Sequence, residues 1–244
     1  MAISLIQQGH KIKGSTTSEA KLSGFQEIGI VPFIINLDNL KENISAFLDS
    51  EILIVAIPSK NIEGFKNLLS YIEKSPIKKV IFISSTSVYG NSNEVLTEES
   101  NTLSSALTTI EMLFKNSVRF DTTIIRFAGL FGYTRKPGNF FSKGRKIPNP
   151  EGFVNMIHQD DCLQLIEKII EKNAWNQIFN GCADTHPTRR EFYTKATLGI
   201  GIELPDFEDT AEIQQKIISN KKSKKLLGFK YKYGNLLQLN YGVI

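Results

Sequence analysis

The sequence predicts an α/β fold, a doubly wound parallel sheet covered by helices, on three observations. Short β-branched runs alternate with stretches of helical period, two of those runs are apolar without interruption, and the helical stretches gather their apolar residues on one face. Strands are expected at residues 11–13, 32–37, 52–57, 80–84, 122–127 and 177–180. The runs Ile52-Leu53-Ile54-Val55-Ala56-Ile57 and Val80-Ile81-Phe82-Ile83 are continuous rather than alternating, which is how strands buried on both faces read, so both are expected at the centre of the sheet. Between strands, Leu40, Ile44, Phe47 and Leu48 share a helix face, as do Phe65, Leu68, Leu69 and Ile72. Cys162, Leu165, Ile166, Ile169 and Ile170 repeat the same spacing. Thr188-Arg189-Arg190-Glu191 is a capping box and starts a helix after His186-Pro187. The expected organisation is a core over residues 1–180, with 130–151 contributing to a smaller lobe that 184–244 completes.

The first eight residues, with Ala2, Ile3, Leu5 and Ile6 apolar, read as two helical turns that end at Gly9 and deliver the chain into a short strand. A doubly wound fold normally opens with a strand, and none precedes this helix. No Gly-x-Gly-x-x-Gly occurs, and Gly129-x-x-Gly132 and Gly199-x-Gly201 stand in the wrong context for one.

Composition excludes several classes. With 244 residues, 41% hydrophobic and 22% charged, the chain is globular rather than disordered or repetitive. No apolar run approaches the roughly 20 residues of a membrane helix, and the N-terminus lacks a signal-peptide pattern, so the chain reads as soluble and cytoplasmic. Cys162 and Cys182 form no Cys-x-x-Cys pair and the three histidines are scattered, which points to reduced thiols and no metal site. The net charge of +4 comes from the C-terminal half. Arg126, Arg135, Lys136, Lys143, Arg145 and Lys146 follow one another without an acid, a basic loop suited to an anionic substrate or to plain solvation. Lys221, Lys222, Lys224 and Lys225 read as a wet helix face, and without interleaved aromatics or a known module no nucleic acid is expected as a partner.

Ile83-Ser84-Ser85-Thr86-Ser87-Val88-Tyr89-Gly90 resembles the Ser-Ser-x-x-Val-Tyr-Gly element of the extended short-chain dehydrogenases/reductases, the NAD-dependent epimerase/dehydratase family. Three further stretches resemble the family in order and spacing: Ile125-Arg126-Phe127-Ala128-Gly129-Leu130-Phe131-Gly132, Asn155-Met156-Ile157-His158-Gln159-Asp160-Asp161 and Lys225-Leu226-Leu227-Gly228-Phe229. The run Arg135-Lys136-Pro137-Gly138-Asn139-Phe140-Phe141 is similar to a small bacterial branch of it. The resemblance implies a Rossmann-like domain for NAD or NADP and a lobe closing over a substrate, often a nucleotide-sugar, with a hydride step at a sugar carbon. It implies that Ser85 hydrogen-bonds the substrate oxygen, that Ser84, Ala56, Ile57 and Pro58 border the cofactor, and that Thr86, Arg126 and Arg135 lie on the substrate side. Tyr89 is expected to pack. Ser85, Thr86 and Pro58 are expected around one cleft at the C-terminal edge of the sheet.

Two family elements are missing. Its chemistry uses a Tyr-x-x-x-Lys pair whose lysine lowers the tyrosine pKa. None of the seven tyrosines here has lysine four residues on, and if Glu111 matches the glutamate that commonly follows the pair, the resemblance puts Leu103 and Leu107 at its positions. Tyr133 and His158 are the fallback acid/base candidates. The other missing element is the opening strand with its glycine turn, which brings backbone N–H groups to the pyrophosphate. From this the expectation is a shortened chain start, an empty lane between the strands at 11–13 and 52–57 or those two strands drawn together to close it, and weakened cofactor binding. After the strand at 11–13, Ser15, Thr16 and Thr17 offer hydroxyls where NAD-specific relatives carry an acid, which together with Lys21 leans toward NADP. Two functions stand: an NAD(P)-dependent epimerase, dehydratase or reductase acting on an anionic metabolite such as a nucleotide-sugar, or a non-catalytic nucleotide-binding regulator that has lost the acid/base pair. Either is compatible with a homo-oligomer.

Overall fold

The computed structural model describes residues 1–40, 44–141, 145–208 and 215–244. In chain order the elements are α1 Ala2–Gln7, β1 Lys13–Thr16, α2 Leu22–Glu27, β2 Val31–Ile34, α3 Ile44–Phe47, β3 Ile52–Val55, α4 Ile62–Ile72 and β4 Lys79–Ser85. There follow β5 Val95–Leu96, α5 Ala106–Lys115, β6 Asp121–Phe127, β7 Gly129–Phe131, β8 Ile147–Pro148, β9 Met156–His158 and α6 Gln159–Glu171. The chain closes with β10 Ile178–Gly181, α7 Arg189–Gly199, β11 Phe207–Glu208, β12 Ile217–Ile218 and α8 Lys221–Leu227. Of the expected helix on Leu40, Ile44, Phe47 and Leu48, Ile44–Phe47 is helical while residues 41–43 lie outside the described residues, as does Lys143 of the basic loop.

The fold is α/β with parallel sheets, as the alternation of periods predicts. β1 pairs with β2, β3 with β4, β5 with β12, β7 with β9 and β8 with β11, all in parallel. The main sheet has the order β10-β6-β4-β3. β4 is interior and buries Val80, Ile81 and Phe82. The equally apolar β3 stands at the end of this sheet among the described residues, with Leu53 and Val55 buried and Ile52 and Ile54 half-buried. An apolar run reports burial of faces, not the number of strand partners, so the expectation of two central strands holds for one. The first strand also starts later than expected, because Gly14, Ser15 and Thr16 pair with Pro32, Phe33 and Ile34. β1 and β2 form a sheet of their own, and no described strand joins β1 to β3.

Two compact units divide the chain. The first comprises Met1–Ile83, Ser104–Ile124 and Trp175–Gln177. Its core centres on three rings: Phe82 of β4 stacks on Phe114 of α5 at 4.9 Å, and Phe65 of α4 meets both edge-on. Gly9, at φ +88°, ends α1 as the sequence predicts, since the left-handed region costs glycine no Cβ clash. The second unit comprises Ser84–Leu103, Ile125–Ala174 and Ile178–Ile244. One of its clusters gathers Phe131, Val154, Met156, Phe192, Ala196, Leu236 and Tyr241, with Phe192 and Ala196 brought in by α7. No described helix is long and apolar enough to cross a membrane.

Candidate functional site

The second unit holds the site. Past the last residue of β4 the chain turns through a short 3₁₀ helix, Thr86–Val88, and Ser85 caps that turn by accepting the Ser87 N–H on Oγ at 3.1 Å. Thr86 is buried and lines a hollow of about 340 Å³. Across the hollow runs the stretch leading into β12. It is fixed on one side by pairing with β5 and by the Ser92 N–H donating to the Gln215 carbonyl at 2.8 Å. On the other side Asn155 uses both ends of its amide: Nδ2 donates to the Lys216 carbonyl at 2.9 Å and Oδ1 accepts the Ile218 N–H at 2.9 Å. Asn155 belongs to the recognisable stretch around His158, and its work is to hold this strand. Lys216 is thereby placed with Nζ 3.1 Å from the Thr86 carbonyl and 2.8 Å from that of Tyr89. Burial pushes its pKa down from the ordinary lysine value.

α7 supplies the remaining walls. Its start is fixed by a capping box in which Thr188 accepts the Glu191 N–H and Glu191 accepts that of Thr188, as the sequence predicts. That start puts Arg189 on the hollow, where its guanidinium donates to the Pro148 carbonyl at 2.8 Å. One turn on, Tyr193 is packed edge-on against Phe141 and Phe192, and its hydroxyl has no hydrogen-bond partner among the described residues. Burial pushes this phenol's pKa up. The hollow is thus lined by Arg189, Lys216, the amides of Asn91, Asn149, Asn155 and Gln215, the Thr86 hydroxyl and a neutral phenol, and among the described residues no carboxylate lines it. A larger hollow of about 560 Å³ lies on the other side of Tyr193, but Glu203 and Asp206 share it with Arg145, and none of the recognisable stretches around Thr86 or Asn155 reaches it.

The other residues singled out from sequence are placed as follows. Ser85 is half-buried and is not among the residues lining the hollow. Arg126 is buried, donates to the Tyr89 hydroxyl at 2.8 Å and stands 5.0 Å over its ring. Tyr89 in turn donates to Asn180 Oδ1 at 2.9 Å, and the Asn180 N–H donates to Glu98 at 2.8 Å. Arg135 donates to the Leu130 carbonyl at 2.8 Å and lies over Phe140. Neither arginine is among the described residues lining these two hollows. His158 caps α6 by accepting the Asp160 N–H on Nδ1 at 3.1 Å, which places its proton on Nε2. That nitrogen is sealed against Gly132, where a Cβ would come within 2.5 Å of it. Burial holds the His158 pKa down, so the ring is a neutral structural group stacked on Tyr233 at 3.7 Å. Tyr133 is largely exposed and its hydroxyl bonds to Asp160. Leu103, expected from the sequence to stand in place of the family's tyrosine, is half-exposed beside Gly90 and donates its N–H to the Val88 carbonyl at 2.8 Å.

Ser84 is buried at the end of β4. The remaining cofactor candidates lie in the first unit. Ser15 and Thr17 are exposed at the end of β1, Thr16 Oγ1 accepts the Ser18 N–H at 3.1 Å, and Ala56 and Pro58 are exposed just past β3. Exposed hydroxyls and small apolar groups at strand ends fit a ribose and an adenine, which need a few polar contacts and a flat wall.

Arg189, Tyr193 and Lys216 are the residues that sequence reasoning passed over. The capping box identified the helix carrying the first two, and residues four apart share a helix face, so their pairing was readable. Lys216 left no signal, since its strand has two residues and no period.

Known proteins compare with the chain as follows. The model of the NAD dependent epimerase/dehydratase family matches residues 39–159. That segment belongs to the family. Within the epimerase/dehydratase segment lie Ser85, Thr86, Tyr89, Arg126 and Asn155, while Arg189, Tyr193 and Lys216 come from beyond it. Over 96% of its length the chain is 28% identical to protein YeeZ of Escherichia coli K12, of which it covers 91%. A functionally unknown conserved protein from Silicibacter pomeroyi has the same fold, with a TM-score of 0.78 at 18% identity over 99% of this chain and 91% of that one. So has MoeE5, solved in complex with UDP-glucuronic acid and NAD, with a TM-score of 0.78 at 14% identity over 98% of this chain and 92% of that one. The fold is therefore Rossmann-like, of the epimerase/dehydratase kind.

Proposed function

We propose that this protein is an NAD(P)-dependent epimerase, dehydratase or reductase whose substrate is an anionic metabolite of the nucleotide-sugar type, bound in the Thr86 hollow. The observation that carries this reading is the pair of basic residues lining that hollow, Arg189 and Lys216, with no carboxylate among its described lining residues. A diphosphate there would accept charge-assisted hydrogen bonds worth about 1.5–3 kcal/mol each, while the amides of Asn91 and Gln215 can meet a sugar or a base. Family membership supports the reaction class, and the nucleotide-sugar bound to a protein of the same fold supports the substrate class.

When bound, the nicotinamide would supply the hydride chemistry. The groups of this chain suited to its adenosine end are Ser15, Thr16, Thr17, Ala56, Ile57 and Pro58, with Ser84 nearer the strand end of the second unit. Hydroxyls without an acid, and Lys21 close by in the chain, suit a 2′-phosphate. On this reading Thr86, Arg189 and Lys216 orient the substrate, and Ser85, which is not among the lining residues, caps the turn that carries Thr86.

Calorimetric titration with UDP-glucose, UDP-glucuronic acid and dTDP-glucose, each with NAD or NADP present, tests the reading. At least one is expected to bind, Arg189→Ala is expected to weaken it by about tenfold or more, equivalent to about 1.4 kcal/mol, and NADPH is expected to bind more tightly than NADH. No binding by any of the three overturns the substrate, and equal or tighter NADH binding overturns the preference for NADP. A second reading, a nucleotide-binding regulator without turnover, is favoured by Leu103 and Leu107 alone. Nucleotide-sugar binding without any absorbance change of the nicotinamide across the three substrates would establish it.

A further inference from the structure

An epimerase or dehydratase needs a group that takes a proton from a substrate hydroxyl and gives it back, and neither Leu103 nor Leu107 can do so. We propose that Lys216 is this proton-transfer residue, an inference that rests on the reading of the Thr86 hollow as the substrate site. Lys216 lines the hollow, and its Nζ donates to two backbone carbonyls, Thr86 at 3.1 Å and Tyr89 at 2.8 Å. A neutral amine has two N–H bonds and one lone pair, and an ammonium has three N–H bonds. With two hydrogens held by the two carbonyls, the remaining position is a lone pair in one state and a donor in the other, and no described residue occupies it. Lysine can therefore change protonation state without losing either anchor.

The step balances within this pair of groups. The substrate O–H bond breaks and its electrons stay on oxygen, while the Nζ lone pair forms the new N–H bond. The lysine gains one positive charge, the oxygen one negative charge, and the reverse step restores both. The surroundings suit the neutral form as much as the charged one. Among the described residues, the charged group sharing the hollow is Arg189, the titratable one is Tyr193, and no carboxylate there pairs with Lys216. The Tyr89 phenol, bonded to Arg126 and Asn180, anchors the backbone that receives one of the two lysine bonds. Burial without an acidic partner lowers the pKa of Lys216, in the direction a base working near neutrality requires.

A lysine that merely ties the 86–89 turn to β12 would show the same two hydrogen bonds, so the test reads protonation and ligand contact together. Competitive acetylation between about pH 7 and 11, with the Lys216 peptide followed by mass spectrometry, gives its titration. Repeating it with saturating UDP-glucuronic acid, UDP-glucose or inorganic pyrophosphate gives its protection. Lys216 is expected to titrate at least about one pH unit below the ordinary lysine value near 10.4, and a bound nucleotide-sugar is expected to slow its acetylation about tenfold. Lys216→Arg keeps charge and donors but cannot release a proton. It is expected to bind the ligand within about threefold of wild type while abolishing the buffer-dependent part of the binding heat, which reports proton exchange. An ordinary titration, or no protection by a nucleotide-sugar that calorimetry shows to bind, overturns the proposal and leaves the substrate reading intact. If no nucleotide-sugar binds, yet Lys216 still titrates low and pyrophosphate still protects it, the substrate reading falls and the role of the lysine stands.

Discussion

The Tyr89 phenol stands in the middle of a line of buried polar groups, receiving a hydrogen bond from Arg126 and giving one to Asn180, whose N–H is accepted in turn by Glu98. Asn180 Nδ2 extends the line to the Ser219 carbonyl at 3.2 Å, just past β12, which Lys216 immediately precedes. Buried donors and acceptors are costly mainly when one partner is removed and the other is left behind. Tyr89→Phe is therefore expected to lower stability by about 1–3 kcal/mol in urea denaturation, since it strands the Arg126 bond and Asn180 Oδ1 together, although it removes a single oxygen. Unchanged stability would show that water fills the place of the hydroxyl. The same residues show what a motif conceals. Ser85, Thr86, Tyr89 and Arg126 all stand out in the sequence as recognisable stretches, but whether an arginine after a strand meets a ligand or a neighbouring phenol depends on burial, which one strand's sequence does not carry. Arg126 is 5% exposed, which decides the matter for the phenol.

Legibility changes between elements in the same way. Strands and helices with several turns of period were readable: β4 and β6 lie within a residue of the expected strands, α4 and α6 contain the apolar faces expected of them, and α7 starts at the capping box. The position of β3 within its sheet was not, because pairing depends on what else the chain brings alongside. Neither was β12, whose two residues are too few to show alternation, so that Lys216 had no element to be assigned to. α7 offers the element-scale test. Its first turn carries Arg189 and its second Tyr193, so the helix start sets where both meet the hollow. Thr188→Ala removes the acceptor of the Glu191 N–H and one of the two bonds holding the Glu191 carboxylate. The expected cost is about 0.5–2 kcal/mol in stability, and a bound nucleotide-sugar is expected to be weakened with it, because a frayed first turn no longer holds Arg189. Lost stability with unchanged affinity would place Arg189 outside the binding energy and shift the weight to Lys216.

For the whole molecule, burial of titratable groups fixes how stability depends on pH, and the signs can be worked through one class at a time. His158 and His186 are both held below the ordinary histidine value by burial. As pH falls below about 6.5 the unfolded chain takes up these protons before the folded one does, so the stability they contribute above that value is progressively lost. Asp160 acts the same way at lower pH: against the upward pull of burial, hydrogen bonds from Tyr133 and Tyr233 hold its carboxyl below the usual carboxylate range. Glu98 and Asp161 oppose this, because burial raises both, and protonating them relieves a penalty that they carry at neutral pH. The acid limb should therefore begin with the histidines and flatten where those two carboxyls take up protons. On the alkaline side, burial raises Cys182 to about 12 and raises Cys162 as well, while the Tyr89 and Tyr193 phenols are also pushed up. Their stabilising effect is complete below the unfolded thiol value of about 8.5 and is lost as pH rises beyond it. Urea denaturation from about pH 4 to 10 is expected to give a plateau between these limits with a fall on either side. His158→Asn keeps an acceptor for the Asp160 N–H but forfeits the ring that stacks on Tyr233, so it is expected to lower the plateau and to make the acid limb shallower. An acid limb as steep as that of wild type would mean that His158 takes no part in it and that His186 carries the histidine contribution alone.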